Sequence, residues 1–123
     1  MPIPAITNSE LELMKILWEN APLTTPELAA RAAAACGWNG STVKTLLARL
    51  VEKGALLQEG EKRAYTYRPL LSREAYREEA GKRLAAQVFD DDCAAMVNFF
   101  VRRGKLSADD LAELKRLLDE QEG

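Results

Sequence analysis

The sequence predicts a mostly α-helical fold carrying one small β-hairpin, and three observations carry that expectation. Capping signals precede amphipathic stretches at Thr7/Glu10, Thr24/Glu27 and Ser107/Asp110. Apolar residues recur at three- and four-residue spacing through most of the chain, as in helices with one buried face. Between Gly54 and Pro69 the pattern changes to near-alternation, the period of a half-buried strand.

The elements follow in order. A first helix begins near Asn8, capped by Thr7 with Glu10, and carries Leu11, Met14, Leu17 and Trp18 as its apolar stripe. Asn20-Ala21-Pro22 ends it. Thr24 and Glu27 open a second, alanine-rich helix, in whose first turn Pro26 is tolerated, and Gly37 supplies the stop. Gly40-Ser41 starts a third helix running to about Lys53, with Gly54 just past its end. Val43, Leu46, Leu47, Leu50 and Val51 form its apolar stripe, and Ser41, Lys44, Thr45, Ala48, Arg49 and Glu52 lie on the opposite face. Residues 55–58 and 64–67 read as two short strands around a turn at 59–62. Three helices and a hairpin tipped with Lys62 and Arg63 are, in that order, a winged helix-turn-helix, assigned to residues 1–70.

Pro69 interrupts the pattern, and residues 71–123 read as helical. Ser72 caps a helix bearing Tyr76, Ala80, Leu84 and Val88. Asp90-Asp91-Asp92 places negative charge at the start of the next, which carries Met96, Val97, Phe100 and Val101. Gly104 breaks it, and Ser107 with Asp110 opens a last helix with Leu111, Leu114, Leu117 and Leu118. Three short amphipathic helices offer too little material to bury their own stripes. The expected remedy is a second copy of this segment, a homodimer whose interface includes Tyr76, Leu84, Val88, Met96, Val97, Phe100, Leu111, Leu114 and Leu118. Folding back on the first domain is the alternative.

Composition narrows the function. With 123 residues, 47% apolar and 29% charged, the chain is of a size and make-up for one domain, or one small domain with an appendage. It offers no long apolar span and no signal-peptide pattern, so a cytoplasmic location is the expectation. Histidine is absent, which removes the commonest general base and the usual partner of a Ser or Cys nucleophile. The two cysteines, Cys36 and Cys93, cannot make a structural zinc site and are expected to be small buried apolar residues. No catalytic constellation, glycine-rich phosphate loop or metal cluster is found, so neither an enzyme nor a cofactor is expected.

The net charge of -2 conceals a local excess of positive charge. Residues 39–68 hold Lys44, Arg49, Lys53, Lys62, Arg63 and Arg68 against Glu52, Glu59 and Glu61, whereas the segments on either side are net acidic. A local basic footprint is what phosphate binding requires. On the third helix Lys44 and Arg49 can approach phosphates or guanine edges, while Ser41, Thr42 and Thr45 can donate to phosphate or touch thymine methyls. Lys62 and Arg63 would reach along the backbone or into the minor groove, weakened by Glu59 and Glu61. Tyr65 and Tyr67 are read as packing residues. The competing reading is a solvated helix face, or a winged helix that contacts another protein.

Several runs together resemble the penicillinase-repressor family of winged-helix regulators, which includes the methicillin-resistance repressor and a copper-responsive branch. They are Ile6-Thr7-Asn8-Ser9-Glu10 into Met14-Lys15-Ile16-Leu17-Trp18, Thr42 through Leu50, Lys53-Gly54-Ala55-Leu56, and Arg63 with Tyr65-Thr66-Tyr67. Met96-Val97, Phe100 and Leu106-Ser107 through Leu111 and Leu114 continue the likeness towards the C-terminus. The resemblance implies a homodimer on a palindromic double-stranded DNA operator, repressing β-lactamase or related resistance genes. It marks Thr42, Lys44, Thr45 and Arg49 as recognition-helix positions and Arg63 as the wing cation. It also implies release by a membrane-bound sensor protease and a cut between an Asn and a Phe in the C-terminal region. Asn98-Phe99 is the candidate, although aligning Met96-Val97 and Phe100 puts Phe99 where the family's Asn stands. The copper branch's paired Cys-x-Cys motifs are missing, so no metal is implied. A repressor of this family acting on an unrelated operon is the alternative.

Overall fold

A computed structural model of the protein describes residues 3–122. The helices are α1 (Asn8–Asn20), α2 (Thr25–Cys36), α3 (Gly40–Glu52), α4 (Arg73–Phe89), α5 (Cys93–Arg102) and α6 (Ala108–Glu122). The strands are β1 (Leu23–Thr24), β2 (Leu56–Glu59) and β3 (Thr66–Pro69). They form one antiparallel sheet in the order β1-β3-β2, in which Leu23 pairs with Tyr67 and Gln58 pairs with Tyr67 from the other side. The described residues fall into two compact units divided between Glu79 and Ala80, inside α4.

In the first unit α1, α2 and α3 close around a core of Leu13, Met14, Leu17, Leu28, Val43, Leu47, Leu50 and Leu56. Each is 0–2% exposed, and such burial stabilises the fold by roughly 1.5–3 kcal/mol per large side chain. Two capping boxes set the helix starts. Thr7 and Glu10 exchange bonds of 2.9 and 3.1 Å at α1, and Thr24 and Glu27 exchange bonds of 3.0 and 3.3 Å at α2. The Thr24 bonds hold the Glu27 carboxyl below its ordinary range. Gly37, at φ 72°, closes α2 in the left-handed conformation that a glycine adopts without strain.

The sheet departs from expectation in two ways. β1 was not foreseen, because two residues are too few to show alternation. The hairpin strands lie later than the predicted 55–58 and 64–67, with Gly60 at φ 95° and Ala64 N–H donating to the Glu61 carbonyl at 2.7 Å. A Cβ on Gly60 would stand 2.9 Å from the Ala64 carbonyl oxygen, so this turn requires glycine. Pro69, expected to break the pattern, is the last residue of β3 and pairs with Leu56. It is tolerated because β1 pairs only with Thr66 and Tyr67 and asks no donor of Pro69.

The start of α4 belongs to the first unit. Trp18 donates from Nε1 to the Leu71 carbonyl at 2.9 Å, and the Arg73 guanidinium lies 5.8 Å from the Trp18 ring centre while it bonds Glu19 at 3.0 Å. Tyr76 packs on the same indole, with ring centres 5.7 Å apart.

In the second unit, the remainder of α4, α5 and α6 share little interior. Among the described residues of that unit, Ala85 alone is buried. Asp90 and Asp91 take left-handed backbone at φ 52° and 65°, leaving Asp92 to cap α5 by accepting from Ala95 N–H at 2.9 Å. Ser107 and Asp110 exchange bonds of 3.0 and 2.9 Å at the start of α6. Neither cysteine is the buried residue expected. Cys36 closes α2 half-buried, and Cys93 opens α5 fully at the surface, because both sit at helix ends that the cores do not cover.

Candidate nucleic-acid interface

The third helix presents its polar face outward because its other face is consumed by the core. Val43, Leu46, Leu47 and Leu50 are buried, so the helical period turns Ser41, Lys44, Thr45, Ala48 and Arg49 to solvent. Thr42 stands half-buried at the margin. Asn39 starts the helix, its Oδ1 accepting from Thr42 N–H at 2.9 Å and from the Ser41 hydroxyl at 3.1 Å. The Thr45 hydroxyl donates to the Ser41 carbonyl at 3.0 Å, and the residue is exposed. Both hydroxyls are thereby held in place without a long flexible side chain.

The six cations of residues 39–68 divide into two groups. Lys53 is engaged by α1 and the chain before it, its partly exposed ammonium donating to Glu10 Oε1 at 2.5 Å and to the Ala5 carbonyl at 2.8 Å. Arg68 is spent across the hairpin on Glu59, at 2.6 Å. Among the described residues, no carboxylate lies within ion-pair distance of Lys44, Arg49, Lys62 or Arg63. The Arg68 pair also neutralises Glu59, which the sequence set against the wing. Lys62 and Arg63 occupy the turn between Glu61 and Ala64, fully exposed. Tyr67 is buried and Tyr65 half-buried against the core, so both pack instead of offering free rings.

Glu10 is the one buried charged residue among those described. Burial raises its carboxyl, but the hydrogen bonds from Lys53 and from Thr7 outweigh that effect and hold it below its ordinary value of 4.5.

Sequence reasoning missed two residues on this face. Thr25 at the start of α2 and Gln58 on β2 join Lys44, Leu47, Ala48 and Tyr67 around a cleft of about 240 Å³. Three polar side chains from three elements therefore border one opening. The signal for Thr25 was present, since the second helix's start was read correctly and a helix N-terminus favours anions. Gln58 had no signal, because strand register decides which way it points.

The expected interface residues of the C-terminal region are placed as follows. Leu84, Val88, Val97, Phe100, Leu111 and Leu118 are exposed, and Met96 and Leu114 are half-buried. Tyr76 is half-buried and lies on Trp18 in the first unit. Asn98 and Phe99 are both exposed within α5, and the Phe99 ring meets Phe89 at 5.8 Å, Phe100 at 5.4 Å and the Arg103 guanidinium at 4.9 Å. Among the described residues, no group of His, Cys, Asp and Glu could hold a metal ion. No helix among them is long and apolar enough to cross a membrane.

The sequence profile of the penicillinase repressor family matches residues 6–120. A penicillinase repressor of Bacillus licheniformis is 30% identical over 118 residues, which are 96% of this chain and 92% of the relative. Two solution structures are each 35% identical and cover 61% of this chain and 92% of their own. The DNA-binding domain of the repressor BlaI has a TM-score of 0.56, and the monomeric form of B. licheniformis BlaI with the blaP half-operator has 0.54. The likeness spans the three-helix unit with its wing and continues, in sequence, almost to the C-terminus. The chain is a member of the penicillinase repressor family, whose proteins are winged-helix transcriptional repressors and not enzymes.

Proposed function

We propose that this chain is a homodimeric, cytoplasmic repressor that binds a palindromic double-stranded DNA operator, each copy reading one half-site. In this reading α3 enters the major groove with Ser41, Thr42, Lys44, Thr45 and Arg49, and the wing brings Lys62 and Arg63 to the backbone or the minor groove. The observation that carries it is the set of four cations, Lys44, Arg49, Lys62 and Arg63, left without ion-pair partners among the described residues on one helix and its wing. A relative 35% identical in this unit has been solved with a half-operator, which supports the same use of the surface here. Arg49 is the residue suited to a bidentate bond with guanine, whereas Lys44, Lys62 and Arg63 suit phosphates.

Dimerisation through residues 72–121 is supported by the apolar side chains that the second unit leaves exposed, Val88 and Leu118 above all at 62% and 64%. Two reading heads about 34–36 Å apart would meet successive major grooves on one side of the duplex. The genes controlled are those of a β-lactamase or a related antibiotic response, and release follows a cut in the C-terminal region by the action of a membrane-bound sensor protease. Asn98-Phe99 is the candidate bond.

The test is selection of duplexes from a randomised pool by the full chain, followed by footprinting. Arg49→Ala should lose specific protection of the selected site, at a cost of about 1–3 kcal/mol per copy, while sedimentation still shows a dimer. An unchanged footprint from Arg49→Ala would remove α3 from the role of reading head.

A further inference from the structure

We propose that the ion pair between the buried Glu10 and the partly exposed Lys53 positions the reading helix: it fixes the C-terminal end of α3 on the N-terminal end of α1, so that discrimination between DNA sequences depends on two residues that do not touch DNA. The inference rests on the reading of α3 as the reading head.

Two stretches of chain, the start of α1 and the end of α3, meet at one oxygen. Glu10 Oε1 accepts from Thr7 N–H at 2.9 Å, which caps α1, and from the Lys53 ammonium at 2.5 Å. The same ammonium donates to the Ala5 carbonyl at 2.8 Å. Lys53 is the C-cap of α3 and lies one helical turn beyond Arg49, so a tilt of that end moves Arg49 directly.

The arrangement is poorly explained by stability alone. Glu10 is fully buried, and its Oε2 has no hydrogen-bond partner among the described residues. A buried carboxylate gives up its hydration, and an unmet acceptor adds to that cost. Apolar residues of similar size generally stabilise such a site as well or better. They cannot supply direction, because apolar faces slide over one another whereas a charge-assisted hydrogen bond weakens steeply with displacement. The pair also withdraws Lys53 from the phosphate-binding cations, which separates its effect on geometry from any effect on charge.

The experiment uses the full chain, the duplex it selects from a randomised pool, and poly(dI-dC) as the non-specific competitor. Lys53→Met should lower the ratio of specific to non-specific affinity about tenfold and leave the salt dependence at the wild-type slope. Lys44→Met, by contrast, should reduce that slope by about two in the dimer, one phosphate contact per copy. A reduced slope in Lys53→Met, or an unchanged ratio, overturns the proposal. The double variant Glu10→Met/Lys53→Met leaves no buried charge and should melt cooperatively while the ratio stays low. A double variant that recovers the ratio, or that no longer melts cooperatively, would make the pair a stability element only. Amide exchange without DNA separates the two readings. If the wild-type chain selects no duplex, the reading head itself falls, and exchange still decides the clamp. Lys53→Met should lose protection at residues 3–12 and 48–55 together with 24–36 unchanged, and retained protection in either segment contradicts the proposal.

Discussion

Arg49 and Lys53 are two cations one turn apart on the same helix, with opposite fates. Arg49 is exposed and without an ion-pair partner among the described residues, and Lys53 is bound to Glu10 across 43 residues of sequence. Residue type and helical spacing made both basic positions legible, but the partner of Lys53 comes from the tertiary fold and left no local trace. Glu10 was legible as half of a capping box, and that it also receives Lys53 was not. The pair carries a pH prediction. The folded carboxyl sits below its ordinary value of 4.5, so its stabilising contribution is complete above that value and is lost as the pH falls through the folded one. Thermal melting of the wild-type chain should therefore drop on acidification below about pH 4.5, and Glu10→Gln should flatten part of that drop. An identical pH profile in Glu10→Gln would mean that other carboxylates carry the whole effect.

Helix starts were the most legible elements, since Thr7, Thr24, Asn39, Asp92 and Ser107 each accept a backbone N–H at the expected place or within a residue of it. Caps are local chemistry and survive tertiary context. Strand register was not legible. It follows from the left-handed Gly60 and the Glu61–Ala64 turn, and from pairing with a two-residue strand that no pattern announces. The candidate scissile bond poses an element-scale problem of its own. Asn98 and Phe99 lie inside α5, where the backbone is committed to helical hydrogen bonds, so a protease must act on a locally opened helix. Removing the cap with Asp92→Ala costs about 1 kcal/mol and should raise the rate of chymotryptic cleavage after Phe99 about fivefold. An unaltered rate would mean that the opening does not involve the α5 start.

At the scale of the whole molecule the two units are unlike in how they hold together. The first has a closed core of large side chains, and the second keeps Ala85 as its buried residue and exposes Val97, Phe99, Phe100, Leu117 and Leu118. The amphipathic stripes that reveal this imbalance were plain in the sequence, whereas the attachment of Tyr76 to Trp18 was not, because it depends on where α4 leaves the sheet. Leu118→Asp should yield monomers by sedimentation and weaken binding to a palindromic duplex at least a hundredfold, since in the proposed dimer each copy meets one half-site. An undisturbed dimer would move the interface elsewhere. The central claim is that Lys44, Arg49, Lys62 and Arg63, four cations per copy without ion-pair partners among the described residues, meet DNA. Affinity of the full chain for its selected duplex, measured from about 50 to 200 mM salt, addresses it most directly. With three phosphate-binding cations per copy, a linear loss in log-log form is expected with a slope of about -5.4 for the dimer, about 10³-fold over that range, and of about -3.6 for Lys44→Met. A flat salt dependence, or a slope unchanged in Lys44→Met, would contradict it.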